Sequence, residues 1–272
     1  MPVADVSDRT LSELFSLKGR RAVVTGAGRG IGAAVVRRLA EAGADVVVAD
    51  IDRVNAEAVA SEVASQTGRR AFAFEVDLAD AASIRDLAGG AASRLGGFDI
   101  WVNNAGVFPI APLLDLTDEA WDNVLAVNLR GTLLASREAA RSMVESGRGG
   151  VIIAMSSTSG FRAGGPGIAH YVATKHGVRG LTKALAVEFG EHGIRALAVA
   201  PTLTNTPGIS STMGDVRDPV VAERLHGLAA RLPLGRIAVP DDIARVVVFC
   251  ASDLALMMTG VTIPVDGGHL AM

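Results

Sequence analysis

The chain of 272 residues has one cysteine, one tyrosine and two tryptophans, and aromatic residues make up only 4% of it. A single thiol excludes any disulfide within the chain. Cys250 sits in the apolar run VVVFCAS and reads as a buried structural thiol rather than a nucleophile. Strong charge of either sign is also missing. The net charge is -3 and the basic residues are dispersed, so the electrostatic footprint of a nucleic-acid or anionic-membrane binder is absent. No run reaches the roughly 18 apolar residues that a membrane-spanning helix needs. The opening MPVADVSDRTLSELFSLKG carries acidic residues and lacks the apolar core of a signal peptide. The expectation left standing is a soluble, cytoplasmic protein whose partner is a small molecule.

What is present is apolar content of 49%, enough for a substantial core. It is arranged as short β-branched runs separated by longer segments rich in alanine, leucine and charge: RAVVT (21–25), DVVVAD (45–50), AFAFEVD (71–77), FDIWVN (98–103), GVIIAMS (150–156), IRALAVA (194–200) and VTIPVD (261–266). Most are continuously apolar rather than alternating, as strands buried on both faces are. The intervening segments read as crossover helices, two of them over 33–43 and 56–68 with Gly43 and Gly68 as stops. This pattern predicts an α/β chain with a single doubly wound (Rossmann) domain over 17–272. Its sheet has seven strands, mostly parallel, with helices on both faces, and residues 1–16 form an N-terminal extension. Residues 205–235 interrupt the rhythm with turn residues and a helical stretch near 219–231, and the length of this insertion predicts a cover over a ligand.

The run RAVVT leads directly into TGAGRGIG (25–32) and then into a helix. Gly26, Gly30 and Gly32 permit a tight turn and close backbone approach to a pyrophosphate, whose charge the helix N-terminus favours. Arg29 and Ile31 complete that loop. Asp50 ends the next strand, with Ile51 after it. A carboxylate there accepts both hydroxyls of an adenosine ribose and repels a 2′-phosphate, so NAD is expected over NADP. Arg29 and Arg53 are the counter-signal, since either guanidinium answers a phosphate.

The only tyrosine, Tyr171, stands four residues before Lys175, which places both on one helix face. Alone, such a pair is more often packing than chemistry. Taken with TGAGRGIG, NNAG (103–106), Asn128 in VNLRG, SSTSG (156–160), PTLTNT (201–206) and VDGG (265–268), the chain resembles the short-chain dehydrogenase/reductase superfamily in its form of roughly 250 residues, from about residue 17 onward.

That resemblance implies Tyr171 as general acid/base, Lys175 as its partner and Asn128 as support for a water leading to the lysine. It implies Ser157, rather than Ser156, as donor to the substrate oxygen. Ser157 stands 14 residues before Tyr171, one more than the family's common spacing, so the loop GFRAGGPGIAH carries an extra residue. Lys175 and a nicotinamide cation would stabilise the phenolate of Tyr171 and lower its pKa. Asn104, Ala105 and Gly106 would pack beside the cofactor, Asp77 and Leu78 would flank its adenine, and Pro201, Thr204 and Thr206 would meet its carboxamide and phosphates. Thr202 departs from the glycine usual after that proline. Phe108, Ile110, Phe161 and Ile168 are candidate walls of an apolar substrate pocket. His170 and His176 lack partner ligands at metal spacing and read as surface or pocket-wall residues, so no metal is expected. Trp101 and Trp121 read as packing.

The expected activity is NAD(H)-dependent interconversion of a secondary alcohol and a ketone. An NADPH-dependent 3-oxoacyl thioester reductase and a nucleotide-sensing scaffold are the alternatives. The resemblance also implies a homo-oligomer, a tetramer of two-fold symmetry. The apolar residues of 241–251 and of the terminal strand are the expected interface.

Overall fold

The computed structural model describes residues 4–208 and 218–272. Seven strands, β1 (Arg21–Thr25), β2 (Asp45–Asp50), β3 (Ala71–Glu75), β4 (Ile100–Asn103), β5 (Gly150–Met155), β6 (Ile194–Pro201) and β7 (Thr262–Val265), form one sheet in the order β3-β2-β1-β4-β5-β6-β7. Every pairing is parallel. The predicted runs match these strands to within about two residues at each end.

The strands alternate sides even though nearly every residue is apolar. Val24, Val46, Val48, Ile153 and Val199 face one core, where α2 (Gly30–Glu41) supplies Val35, Val36 and Leu39. Val23, Val47, Trp101 and Ile152 face the other. There α4 (Ala81–Leu95) supplies Ile84 and Leu87, and α6 (Thr132–Ser146) supplies Ala135, Ala139 and Met143. Trp101 is packing, as expected, and its Nε1 donates to Asn103 Oδ1 at 2.9 Å. The first crossover begins at Gly30 rather than 33, because the last turn of the glycine loop is already helical. The second, α3 (Arg53–Thr67), is capped by Asp52 and stops at Gly68 in the left-handed conformation, φ 66°.

Helix α5 (Asp118–Leu125) runs through a π-helical turn (Ala126–Gly131) into α6. Helix α7 (Ala169–Phe189) carries Tyr171 and Lys175. The stretch expected near 219–231 is α8 (Pro219–Ala230), capped by Asp218 with proline at its first position. The middle of the insertion, 209–217, lies outside the described residues.

On helix α9 (Pro240–Ala251), Ile243, Ala244, Val247, Val248 and Cys250 are buried within the chain, in the core that α2 lines. Val246 and Phe249 are only partly buried. Burial pushes the Cys250 thiol up to about 12, which makes it inert, as expected. No helix among the described residues is long and apolar enough to cross a membrane.

Candidate active site

A parallel sheet puts all its strand C-termini on one edge, and ligands bind where the strand order reverses. In this sheet the reversal lies between β1 and β4, which are followed in sequence by TGAGRGIG and NNAG. The two loops are stapled together. Asn104 Nδ2 donates to the carbonyls of Thr25 (3.0 Å) and Gly26 (2.8 Å), while Thr25 Oγ1 accepts from the amides of Asn104 (3.2 Å) and Ala105 (3.3 Å). Gly26 has φ 62°, and a Cβ there would lie 2.6 Å from Ala105 Cα. At Gly32 a Cβ would strike the Gly26 carbonyl oxygen. Both sites accept only glycine.

Asp50 lies half-buried at the end of β2. Its Oδ2 accepts from the Gly28 amide at 2.8 Å and its Oδ1 from the Asp52 amide at 3.0 Å. Each oxygen keeps a lone pair for a further donor. Arg53, one of the two residues that weighed against NAD, is committed to Glu57 at 2.8 Å, and Arg29 is exposed at the N-cap of α2. These residues fit a dinucleotide: a backbone cradle at a helix N-terminus, with a carboxylate at the end of the adjacent strand β2. On the far side Asp77 is exposed, its carboxylate held by the Ala79 amide at 2.8 Å, and Leu78 is buried beside it.

Four of the expected residues converge at the C-terminal ends of β4 and β5. The Ser157 side chain stands at the Tyr171 hydroxyl, close enough to favour its ionised form. Ser157 Oγ also accepts from the Ser159 amide at 3.0 Å. Lys175 is buried, with Nζ donating to the Met155 carbonyl at 2.7 Å and lying 5.4 Å from the Tyr171 ring centroid. Asn128, inside the π-helical turn, exchanges two 2.8 Å bonds with the backbone of Val107. A Cβ on Gly106 would lie 3.2 Å from Asn128 Oδ1 and 3.8 Å from Lys175 Nζ, so glycine keeps this corner open. The two serines separate cleanly, since Ser156 Oγ turns away to the Lys175 carbonyl at 3.1 Å.

Burial pulls Lys175 down to about 8. It also raises the Tyr171 phenol above its ordinary range, with Ser157 only partly opposing it. The protein alone therefore does not lower the tyrosine pKa. Both groups are desolvated, and the ammonium is turned to a carbonyl rather than to the phenol oxygen.

Around Tyr171 the expected pocket residues divide. The Phe108 ring meets Tyr171 edge-on, centroids 4.5 Å apart. Ile110 packs at Gly167, where the Ala111 amide binds the Gly167 carbonyl at 2.9 Å. Ile168 is buried at the start of α7. Phe161 lies under the Arg179 guanidinium, 3.6 Å from its ring centroid, so that face of the ring is taken. His170 is a correction: it is fully buried and neither ring nitrogen has a partner among the described residues, where a surface or pocket-wall residue was expected. His176 is exposed. Among the described residues no group of three or more His, Cys, Asp or Glu could hold a metal ion. Pro201 ends β6 on this same edge, and Thr204 is buried just beyond it. Thr206 faces the glycine loop, for a Cβ on Gly30 would lie 3.5 Å from it. An open cleft of about 420 Å³ lined by Arg53, Phe72, Phe74, Glu75 and Arg94 lies at the β3 edge of the sheet, two strands from β1, and takes no part in this arrangement.

Thr25 is the site residue the motif reading gave no task, although it opens TGAGRGIG. A buried threonine at a strand end, followed by glycine, was the available signal.

A family model described as enoyl-(acyl carrier protein) reductase matches residues 26–269. The L-rhamnose 1-dehydrogenase (NAD(P)(+)) of Azotobacter vinelandii is 40% identical, over 90% of this chain and 94% of its own. The cis-4-hydroxycyclohexanecarboxylate dehydrogenase of Sinomonas cyclohexanicum is also 40% identical, over 93% and 97%. The solved structure of a 3-ketoacyl-(acyl-carrier-protein) reductase from Brucella melitensis complexed with NADH superimposes with a TM-score of 0.84 at 35% identity, covering 93% of this chain and 99% of that one. Likeness of this extent, on a sheet whose glycine loop, tyrosine and lysine meet at one edge, places the chain in the short-chain dehydrogenase/reductase superfamily of nicotinamide-dependent oxidoreductases.

Proposed function

We propose that the protein interconverts a secondary alcohol and a ketone with NAD(H), Tyr171 exchanging the hydroxyl proton. The carrying observation is that Ser157 and the buried Lys175 both stand at Tyr171, Lys175 Nζ lying 5.4 Å from its ring centroid. When bound, the nicotinamide accepts or returns the hydride. The remaining work falls to the chain. Ser157 holds the substrate oxygen, Tyr171 takes or gives its proton, and Lys175 supplies positive charge beside the phenol. Gly26, Arg29, Gly30, Ile31, Gly32, Asp50, Ile51, Asp77, Leu78, Asn104, Ala105, Gly106, Pro201, Thr204 and Thr206 bind the dinucleotide in this reading.

The substrate is apolar rather than a polyol. Phe108 (37% exposed) meets Tyr171, and Ile110 (53%), Leu113 (69%) and Leu114 (99%) follow it along the loop after NNAG, an exposed apolar stretch that favours a cyclic or aryl alcohol. The test is a panel of alcohols with NAD at alkaline pH and of ketones with NADH near neutrality, followed by NADH absorbance. Turnover of cyclic alcohols supports the reading. Turnover only of 3-oxoacyl thioesters with NADPH supports the thioester-reductase alternative, and no turnover across the panel favours the scaffold.

Two further outcomes belong to this site. Ser157→Ala should lose activity on the scale of removing the tyrosine hydroxyl. Ser156→Ala should cost only about 1 kcal/mol of stability for one lost hydrogen bond. The reverse order in steady-state kinetics would reassign the donor. Because Tyr171 is the only tyrosine, phenolate absorbance in the near ultraviolet reads it alone. Without cofactor it should titrate above the ordinary value of 10, because burial penalises the charged form; NAD should shift the titration down. A cofactor-free titration below 10 would contradict the buried geometry.

We also propose a two-fold-symmetric tetramer. With most apolar residues of α9 buried inside the chain, the support is Val187, Met257 and Val261, exposed where the turn before β7 meets the end of α7. Sedimentation showing only a monomer at micromolar concentration would refute it.

A further inference from the structure

Thr202 stands immediately after β6, between Pro201 and the residues read as holding the nicotinamide end of the cofactor, and it is tied down on three sides. Its amide donates to the Val265 carbonyl at 3.2 Å, its carbonyl accepts from Thr204 Oγ1 at 2.9 Å, and its Oγ1 meets His269 Nδ1 at 3.1 Å. A glycine at this position would leave the third tie unmade. The partner histidine is 67 residues away in sequence, on the segment that follows β7.

That segment is itself built to hold His269 in place. Asp266 accepts from the amides of Gly268 (3.0 Å) and Leu270 (2.8 Å), folding 266–271 into a short turn. The Gly267 carbonyl accepts from Leu234 at 3.1 Å, and Gly268 packs on Pro233, where a Cβ would lie 2.7 Å from Cγ. At its far end the Met272 carbonyl accepts from Arg162 Nη1 at 3.1 Å. Residues 266–272 thus bridge the loop that follows Ser157 and the exit of β6, the two stretches flanking Tyr171. Burial and the Arg162 cation hold His269 below its ordinary range, so the imidazole is neutral near neutrality and keeps a lone pair for the Thr202 hydroxyl. The effect reaches the cofactor side: Thr204 bonds to Thr202, the Asn205 amide donates to Ala238 at 2.9 Å, and Thr206 abuts the glycine loop at Gly30.

We propose that His269 and Thr202 form one positioning unit, through which segment 266–272 fixes residues 202–206 in the shape that binds the nicotinamide half of the dinucleotide. Neither is a catalytic residue. The inference rests on the reading that Thr204 and Thr206 meet the cofactor.

The experiment is NADH binding, followed by fluorescence without substrate, for wild type, Thr202→Val, His269→Leu and the double variant, with Thr202→Ser and His269→Asn as conservative controls. Each disruptive single variant should raise the Kd by about three- to tenfold, the worth of one hydrogen bond. The double should be no worse than the weaker-binding single, because both remove the same bond. His269→Asn, which returns an amide acceptor near the Nδ1 position, and Thr202→Ser should restore most of the affinity. In turnover assays the loss should appear in KM for the cofactor while kcat at saturation stays within about twofold. A purely structural role would lower the melting temperature without this coupled and rescuable change in Kd. Wild type binding NADH with both singles equal to it, or a double variant whose effects multiply, overturns the positioning unit and leaves the oxidoreductase reading standing. Wild type that binds neither NADH nor NADPH overturns both.

Discussion

Tyr171→Phe is expected to lose at least about two orders of magnitude in kcat while still binding NADH, a loss of roughly 2.7 kcal/mol or more of transition-state stabilisation. The change removes one oxygen and little else. The ring keeps its edge contact with Phe108, and the Lys175 ammonium remains held by the Met155 carbonyl. Ser157 loses the neighbouring hydroxyl but retains the Ser159 amide, so the cost to folding is about 1 kcal/mol. What disappears is the hydroxyl that, in the proposed mechanism, takes a proton from the alcohol and returns it. Losing kcat and kcat/KM together, with NADH affinity intact, is the signature of an interaction made only in the transition state. Near-wild-type turnover would remove Tyr171 from the mechanism. Loss of NADH binding along with turnover would instead place its hydroxyl in the cofactor site.

The sheet was legible because its signal is local. Continuous apolar runs such as VIIAM and ALAVA can be buried on both faces only in a parallel sheet, and glycines at 26, 30 and 32 announce the turn after β1. The position of Asp50 followed from strand length alone. The site was legible only in part, through family resemblance, because its geometry joins strands distant in sequence. That Asn104 staples the glycine loop depends on β4 lying beside β1, 79 residues away from Thr25. The burial of His170 depends on what packs over α7, which no pattern in HYVATKHG reveals. The opposing effect of burial on Tyr171 was hidden for the same reason. Charge proximity can be read from a four-residue spacing, whereas desolvation and the bond from Lys175 to Met155 exist only once β5 and α7 are packed. How much of the apolar side of 240–251 is buried within the chain was hidden because its partner, α2, lies some 200 residues earlier.

Asp50→Ala should reverse the cofactor preference. In the wild type the carboxylate stands where an adenosine ribose would meet the end of β2, and a 2′-phosphate there would bring like charge within about 4 Å. At an effective dielectric of about 20 that repulsion is on the order of 4 kcal/mol per unit charge. Salt and Arg29 relieve part of it, and Arg53 little, being paired with Glu57. Even half of it favours NAD by more than tenfold. Alanine removes the repulsion and with it both acceptors for the ribose hydroxyls, so NAD should weaken as NADP improves. The structure adds a second consequence. Asp50 also accepts from the Gly28 amide at 2.8 Å, so the variant frees the glycine loop and should weaken both cofactors somewhat, most visibly in KM. Asp50→Asn separates the two effects. Its amide oxygen can still accept from Gly28 while the charge is gone and the Asp52 amide bond is lost, so it should relax the preference while the glycine loop stays tied. The measurement is kcat/KM for both cofactors in wild type and the two variants with one accepted substrate. A wild type that prefers NADP, or an Asp50→Ala ratio equal to that of the wild type, would mean that Asp50 serves the loop alone and that the cofactor is chosen elsewhere.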